Sequence, residues 1–445
     1  MKDPIRIRMY RVGFGDCFLL SLPVGKGTDG EYRHFVIDCG VHGKGNIGTI
    51  ERVVENIFEV TGGRLAAVIA THSHQDHISG FSKRFSDFEI GEVWLPWCEN
   101  PQDELALKWS KKQAELAAAL ERHFAAQAFA GRAEATTKTR EKALAALVNL
   151  NSGETALGLL TALRGGAPAA AAAAGLTSNK KALELLRGGF HVGAKVGYFE
   201  GGQTLADAAG VTGLEVRVLS PPRDEKFLAR MDPPKDQRYL RLDAAGAVVA
   251  DNALEPFPKK WKMVFDAQNP PPLTVDEEKR LGDFLNDDGL DNLAFALDAA
   301  KNNTSLVTLF IYRGHHLLFP GDAQYGNWQF WIDTVGADIL PQIDFLKVAH
   351  HGSHNAMPKA ALENMATGKF AAMVSTQSEP WDSIPRVPLM ERLSEQTADK
   401  VVRSDWLKLP GAPDPLPETA PPEPAALPAG FTQGELWYDY EIEIL

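Results

Sequence analysis

Between residues 72 and 77 the chain reads His-Ser-His-Gln-Asp-His, three imidazoles and one carboxylate in six positions. Side chains of these kinds, packed so closely, either repel protons or hold a metal. His72 and His74 are two apart on what reads as extended chain, so they project to the same side. Asp76 and His77 fall where "DHISGFSKRF" begins a helical pattern, which turns them back toward the same point. Zinc takes imidazole at ~2.0–2.1 Å and carboxylate at ~2.0–2.2 Å. An H-x-H-x-D-H run can therefore feed two neighbouring ions. The scattered His34, His123, His191, His315 and His316 are read as ordinary surface or core residues.

Such ligands need rigid elements to aim them. The stretch Ala66 to Ala70 reads as a buried strand that delivers the histidines at its end. Before it, "IRIRMYRV" alternates, "DCFLLSL" is apolar, and "EYRHFVIDCG" ends in glycine as a strand-to-loop turn does. "GTIERVVENIFEVTG" has helical period and stops at Gly62-Gly63, and "EIGEVWLPW" follows as another strand. Strand, helix, strand in this order predicts an α/β layered fold, with residues 1–100 as the first half of its core.

From Pro101 the composition changes. Leu105, Trp109, Leu116, Leu120 and Phe124 recur on a helical face among alanines, so 101–189 is read as a helical insertion. The alanine run at 169–174 reads as a flexible join within it. Core strands resume over 190–222, including "LEVRVLSPP", and 223–291 is a polar, proline-containing excursion read as a long loop or lid. Residues 292–409 return to α/β pattern, 410–430 form a proline-rich connector, and 431–445 alternate as a closing strand.

Bulk composition removes several classes of function. The chain has 445 residues, 44% hydrophobic and 23% charged, an ordinary globular balance. Its 46 Lys and Arg against 58 Asp and Glu leave a formal charge of −12, which disfavours a broad electrostatic grip on nucleic acid but allows a local basic groove. Cys17, Cys39 and Cys98 are too few and scattered for a disulfide framework and read as small buried apolar residues. The N-terminus lacks the apolar stretch of a signal peptide, and no run is long enough to span a membrane. The expectation is a cytoplasmic protein with no membrane partner.

Several stretches share a further pattern. "VGFGDCFLL" (12–20), "FVIDCG" (35–40), the H-x-H-x-D-H run, "NNTSLVTLFIYRGHHLLFPGDAQ" (302–324) and "LKVAHHGSH" (346–354) occur in that order. Together they resemble the metallo-β-lactamase superfamily. "LKVAHHGSH" is similar to its ComEC-type competence branch, and "STQSEPWDSIP" (375–385) to the phosphorylcholine esterase relatives of that branch. The matches cover 1–100, about 195–222 and 300–410; the two insertions match nothing comparable.

The resemblance implies an αββα sandwich, with Asp322 as a carboxylate bridging two metals. The superfamily's mid-chain histidine is missing from "VRVLSPP" (216–222), so the sixth ligand is His350 or His351. A first set is then His72, His74, one of His350 or His351, and Asp322. The second, Asp76, His77 and Asp322, is short of a ligand unless His42, His354 or water fills it, because no histidine follows His354 and Ser383-Ile384-Pro385 stands where relatives have Gly-His-Pro. The expected cofactor is Zn2+ at two sites, the second weaker and open to Mn2+.

Two such cations would lower the pKa of a bridging water to about 7 and hold a phosphoryl or carbonyl oxygen as it gains charge. Asp76, His77 and Asp322 are the expected catalytic residues. Asp38, in "IDCG", either orients a ligating histidine or caps a loop; Asn303, Lys347 and His354 either contact a substrate anion or are ordinary surface residues. Gly13, Gly15 and Asp16 are read as shaping a tight turn beside the site, since no Gly-Lys-Ser/Thr follows to make a phosphate loop. The expected function is metal-dependent hydrolysis of a phosphodiester, nucleic acid or small nucleotide, by activated hydroxide, with nuclease as the favoured form. The alternatives are an ester, lactone or amide hydrolase on the same metals, and a binding or scaffold protein whose helical insertion holds a protein partner.

Overall fold

Alternation at both ends of the chain is explained by a single sheet that takes strands from each. The structure, a computed structural model, describes residues 3–25, 31–42, 50–111, single helical positions between 113 and 150, 179–239 apart from 192, 299–377, 384–406 and 426–444. The first sheet begins with strands β1 (Ile5–Tyr10), β2 (Cys17–Pro23) and β3 (Tyr32–Cys39) in antiparallel order. Helix α1 (Ile50–Thr61) then crosses over to β4 (Arg64–Ile69), and β4, β5 (Glu89–Pro96) and β6 (Lys195–Phe199) continue parallel to β3. Between these lie the one-turn helix α2 (Gln75–Ile78) and helix α3 (Asn179–Arg187).

The second sheet holds β7 (Thr204–Ala206), β8 (Leu214–Ser220), β9 (Val307–Tyr312), β10 (His315–Phe319), β11 (Phe345–Lys347), β12 (Ala371–Val374) and β13 (Val401–Arg403). Its β7 to β10 are antiparallel and its β10 to β13 parallel. Helices α4 (Glu225–Leu228), α5 (Tyr325–Thr334), α6 (Lys359–Glu363) and α7 (Val387–Thr397) accompany it. The chain returns to the first sheet through β14 (Phe431–Gln433) and β15 (Trp437–Ile442), which pairs antiparallel with β1.

Three apolar clusters stack these elements in layers. Between the sheets, Ile7, Phe35 and Trp94 of the first meet Val216, Phe310 and Phe319 of the second, with the Phe35 and Phe310 rings 5.6 Å apart. On the first sheet's outer face, Val53 and Ile57 of α1 and Ala182 and Leu186 of α3 cover Val36, Val68 and Val93. On the second sheet's outer face, Trp328 and Trp331 of α5, Leu362 of α6, and Leu389 and Leu393 of α7 cover Leu309, Leu318 and Leu346. The order is helices, sheet, sheet, helices, an α/β architecture with two mixed sheets. The period of α1 explains its place: Ile50, Val53, Val54, Ile57 and Thr61 are buried, one stripe at helical spacing.

Some boundaries differ from the sequence expectation. The insertion read as 101–189 ends in α3, whose Ala182 and Leu186 are fully buried in the same cluster as α1, so its last helix belongs to the core layer. "DHISGFSKRF" does not continue as a helix beyond α2: the Gly80 amide donates to the Cys39 carbonyl at 2.8 Å, and a 3-10 turn at Lys83–Asp87 follows. The closing segment is two strands, β14 and β15, rather than one. The alanine run at 169–174, the excursion beyond residue 239 and the connector over 410–425 lie outside the described residues. Among the described residues no helix is long and apolar enough to cross a membrane.

The β1–β15 seam carries a buried ion pair. Arg8 donates twice to Asp439, each at 2.7 Å, and its guanidinium lies 3.8 Å from the Trp437 ring centroid. Asp439→Ala leaves that guanidinium buried without its counter-ion, which should cost about 3–5 kcal/mol in urea unfolding. A loss under about 1 kcal/mol would show that solvent reaches Arg8 and that the pair does not hold the seam.

Candidate metal centre

The site lies where the carboxyl ends of strands from both sheets meet, the usual position for a ligand crevice in α/β sheets. Beyond β4, the Thr71 carbonyl accepts from the Leu306 amide at 2.8 Å and ties the two sheets together. The His74 carbonyl accepts from the amides of His77 and Ile78, both at 3.1 Å, and this starts α2. Two glycines let the backbone close against that turn. A Cβ on Gly15 would stand 2.7 Å from the Asp76 carbonyl oxygen, and one on Gly40 would stand 2.5 Å from the Asp76 carbonyl carbon. The Asp16 amide then donates to the Asp76 carbonyl at 2.9 Å.

This packing draws Asp76, His77, Asp322 and His351 into one buried group with a potential ligand atom from each, all within 4.8 Å of one another. His77 Nε2 is 3.1 Å from Asp322 Oδ2, and His351 Nε2 is 3.2 Å from Asp76 Oδ2 and 3.4 Å from Asp322 Oδ2. Ligands at zinc distances on a tetrahedral ion stand about 3.3 Å apart. These separations therefore match the edges of a coordination polyhedron. Asp76 Oδ1 and His77 Nε2 are buried without a hydrogen bond of acceptable geometry, as ligand atoms awaiting a cation would be. The residues fit a metal.

Each imidazole is aimed by what its other nitrogen touches. His77 Nδ1 donates to Asp38 Oδ2 at 2.8 Å, while the Thr71 amide and hydroxyl donate to the two Asp38 oxygens at 2.7 Å. Asp38 therefore orients a candidate ligand and does more than cap a loop. His351 Nδ1 donates to the Ser375 carbonyl at 2.8 Å, and its ring packs on Phe14 at 4.3 Å. Asp38, His350 and His351 have φ of 55°, 44° and 52°. That left-handed backbone costs an L-residue about 1–2 kcal/mol, a strain that persists only where the surroundings impose it.

Burial opposes a charge on His77, yet Asp322, Asp38, Asp76 and Asp16 outweigh it and hold its pKa well above the ordinary value. His351 is pushed up to about 10, burial again being overcome by Asp322 and Asp16. The acidic cage thus recruits protons in the absence of another cation, and a metal ion would displace them. His72 and His74 differ. Burial, joined by neighbouring imidazoles, lowers both, His74 to about 3, so they stand as neutral imidazoles.

His72 and His74 lie beside this group. His72 Nε2 and His74 Nδ1 are 2.9 Å apart, and the His72 and His77 rings lie at 4.1 Å. The expected division of ligands changes here. His351 joins Asp76 and His77, the set read as incomplete, and not His72 and His74. His350 turns the other way: its Nε2 faces Asn302 Nδ2 at 3.0 Å and its Nδ1 faces Asn355 and Ser353. Two successive left-handed residues send adjacent side chains to different sides, so only one of the pair reaches the ligands. His42 packs edge-on to Phe14 outside this group, and His354 pairs with Asp232 at 2.8 Å.

Two expected substrate contacts have other partners. Asn303 is fully buried and donates to the carbonyls of Leu228 and Arg230, holding the start of the excursion. Lys347 is 2% exposed and faces carboxylates rather than a mouth. Sequence reasoning also missed supporting residues. Ser305 Oγ accepts from the Asp322 amide at 3.1 Å and lies 3.4 Å from His72 Nδ1, bracing both halves. From the helical insertion, Asn179 Nδ2 donates to the Ser73 carbonyl at 3.0 Å, and Asn149 Oδ1 accepts from the Asp76 amide at 3.3 Å. Glu99 accepts from Ser73 Oγ, Lys301 and Arg187 at 2.7, 2.6 and 2.8 Å. Only the closeness of Ser73 to the ligands hinted at these; their partners are distant in sequence. Comparisons of the chain with protein-family models and with curated proteins found no match.

Asp38→Asn removes the charge and one of the two acceptor oxygens that set the His77 tautomer, and should weaken zinc binding about 10–100-fold in chelator competition. Unchanged affinity would separate Asp38 from the ligand set. A pH effect follows from Glu99. Burial pushes its carboxyl up, but Lys301 and Arg187 outweigh that and hold it below the ordinary 4.5. A depressed folded pKa gives stability that is complete above the unfolded value and lost as pH falls through the folded one. Glu99→Gln should therefore destabilise the protein at neutral pH, with the gap from wild type closing in acid. A gap independent of pH, measured by urea unfolding across that window, would count against the network's ionic character.

Proposed function

We propose that the chain is a metal-dependent hydrolase of the metallo-β-lactamase type that acts on phosphodiesters. The observation that carries this reading is the convergence of Asp76, His77, Asp322 and His351 at coordination-like spacing, beside the His72 and His74 pair. The order of the motifs and the layered α/β architecture support it, though fold alone does not fix chemistry. A bound divalent cation supplies Lewis acidity, lowering the pKa of water and stabilising charge on a phosphoryl oxygen.

The chain's own residues hold and aim the reaction. His72 and His74 offer one pair of nitrogens, and His77, His351, Asp76 and Asp322 offer the adjoining set. Asp76 Oδ1, without a hydrogen-bond partner, is the oxygen available to orient an attacking water or take its proton. No side-chain nucleophile is required. Ser305 Oγ is near His72, yet it is fully buried and holds the Asp322 amide, which makes it a brace. The six candidate ligands are at most 1% exposed, and the chain carries −12. Both features favour a small phosphodiester, a nucleotide or a strand end over the interior of a duplex.

Turnover of bis-p-nitrophenyl phosphate with zinc or manganese tests the reading, followed by single- and double-stranded DNA, RNA and cyclic nucleotides. Asp76→Ala and Asp322→Ala should each lose at least about 100-fold in turnover. Hydrolysis of carboxylic esters or lactones alone would change the substrate class, and phosphodiester turnover unaffected by both variants would remove the mechanism.

A further inference from the structure

Behind the candidate ligands lies a second layer of charge. Lys347, at the end of β11, is 2% exposed, and its ammonium donates to the Gly321 carbonyl at 2.8 Å. The same ammonium meets Asp322 Oδ1 at 3.4 Å and pairs with Asp16 Oδ2. Asp16, 1% exposed, has Oδ2 3.6 Å from His77 Nδ1 and Oδ1 3.6 Å from His351 Nδ1. Its charged neighbours are thus the rear nitrogens of two imidazoles, one ammonium and the Asp38 carboxylate, which shares His77 with it. The close contact of the Lys347 ammonium holds the Asp16 carboxylate in place. A ring results: Asp16 to Lys347, Lys347 to one Asp322 oxygen, the other Asp322 oxygen to His77 and His351, and these back to Asp16.

We infer that Asp16 and Lys347 are a pair of positioning residues that set the affinity of the centre for its cation, Asp16 drawing positive charge in and Lys347 limiting it. The inference rests on the metal reading proposed above and adds to it. Asp16 contributes a negative charge behind two ligating rings and strengthens them as donors. Lys347 faces Asp322 Oδ1, which turns Oδ2 toward His77 and His351 and keeps one positive charge permanently within the cage. Charge that attracts and charge that repels act with opposite sign on an incoming cation. A pair that merely filled space would not.

The experiment measures zinc affinity, by competition with a chromophoric chelator, for wild type, Asp16→Asn, Lys347→Met and the double variant. Asp16→Asn should weaken binding about 10–100-fold. Lys347→Met should bind zinc at least as tightly as wild type, and the double variant should return to within about threefold of it; where Lys347→Met alone changes nothing, that recovery is non-additive and marks coupled sites. Should a single variant fail to fold, a folded, zinc-binding double variant supports the pair, and a double variant that is unfolded or zinc-free overturns it. Weakening by Lys347→Met, with additive loss in the double variant, also overturns it while leaving the metal reading intact. No zinc uptake by folded wild type overturns both.

Discussion

Four carboxylates, those of Asp16, Asp38, Asp76 and Asp322, are buried to within 1% exposure at the junction of two sheets, and their mutual repulsion is the constraint on which the rest of the site depends. Ionised groups out of water are tolerated only when paired or when they coordinate a metal. Lys347 supplies one permanent positive charge, and two more come from His77 and His351 as imidazolium or from a cation in their place. The pattern of hydrogen bonds, strained backbone and close-packed glycines follows from holding these groups near one another.

The architecture suits that demand because each sheet changes direction at the site. In the first sheet the antiparallel half ends at β3, where Asp38 sits, and the parallel half begins at β4, which leads to His72. In the second, β10 leads to Asp322 and its parallel neighbour β11 to Lys347 and His351. Strand ends are stiffer supports than free loops, and the left-handed residues at Asp38, His350 and His351 lie just where a strand gives way to the site. Local strain is accepted where geometry has to be held.

Much of this was legible in the amino-acid order, for definite reasons. The strands over 5–10, 64–69, 89–96 and 437–442 and the helix over 50–61 announce themselves by apolar period, since each buries one face or both. Asp76 and His77 of the buried group, with His72 and His74 beside them, were visible because they are neighbours in sequence. The choice between His350 and His351 was not, because it depends on two successive positive φ angles and on Phe14 and Ser375, residues some hundreds of positions apart. Lys347 was read as a substrate contact or an ordinary surface residue, and its burial against Asp16 and Asp322 was hidden because a lysine in a motif says nothing of whether carboxylates surround it. Asn149, Asn179 and Glu99 are ordinary polar residues until the fold brings them to the H-x-H turn.

Helix α3 is the feature with the widest reach. It is seated in the outer core through Ala182 and Leu186, and through Asn179 and Arg187 it grips the peptide and the carboxylate that steady Ser73. A helix fastened at both ends to the turn between two candidate ligands is thermodynamically linked to whatever those ligands hold. Linkage is reciprocal: a molecule that tightens the seating of α3 raises the affinity of the turn for its cation by the same factor that the cation raises the affinity for that molecule. Helix α3 is thus a buttress whose seating and the hold of the turn on a cation rise and fall together.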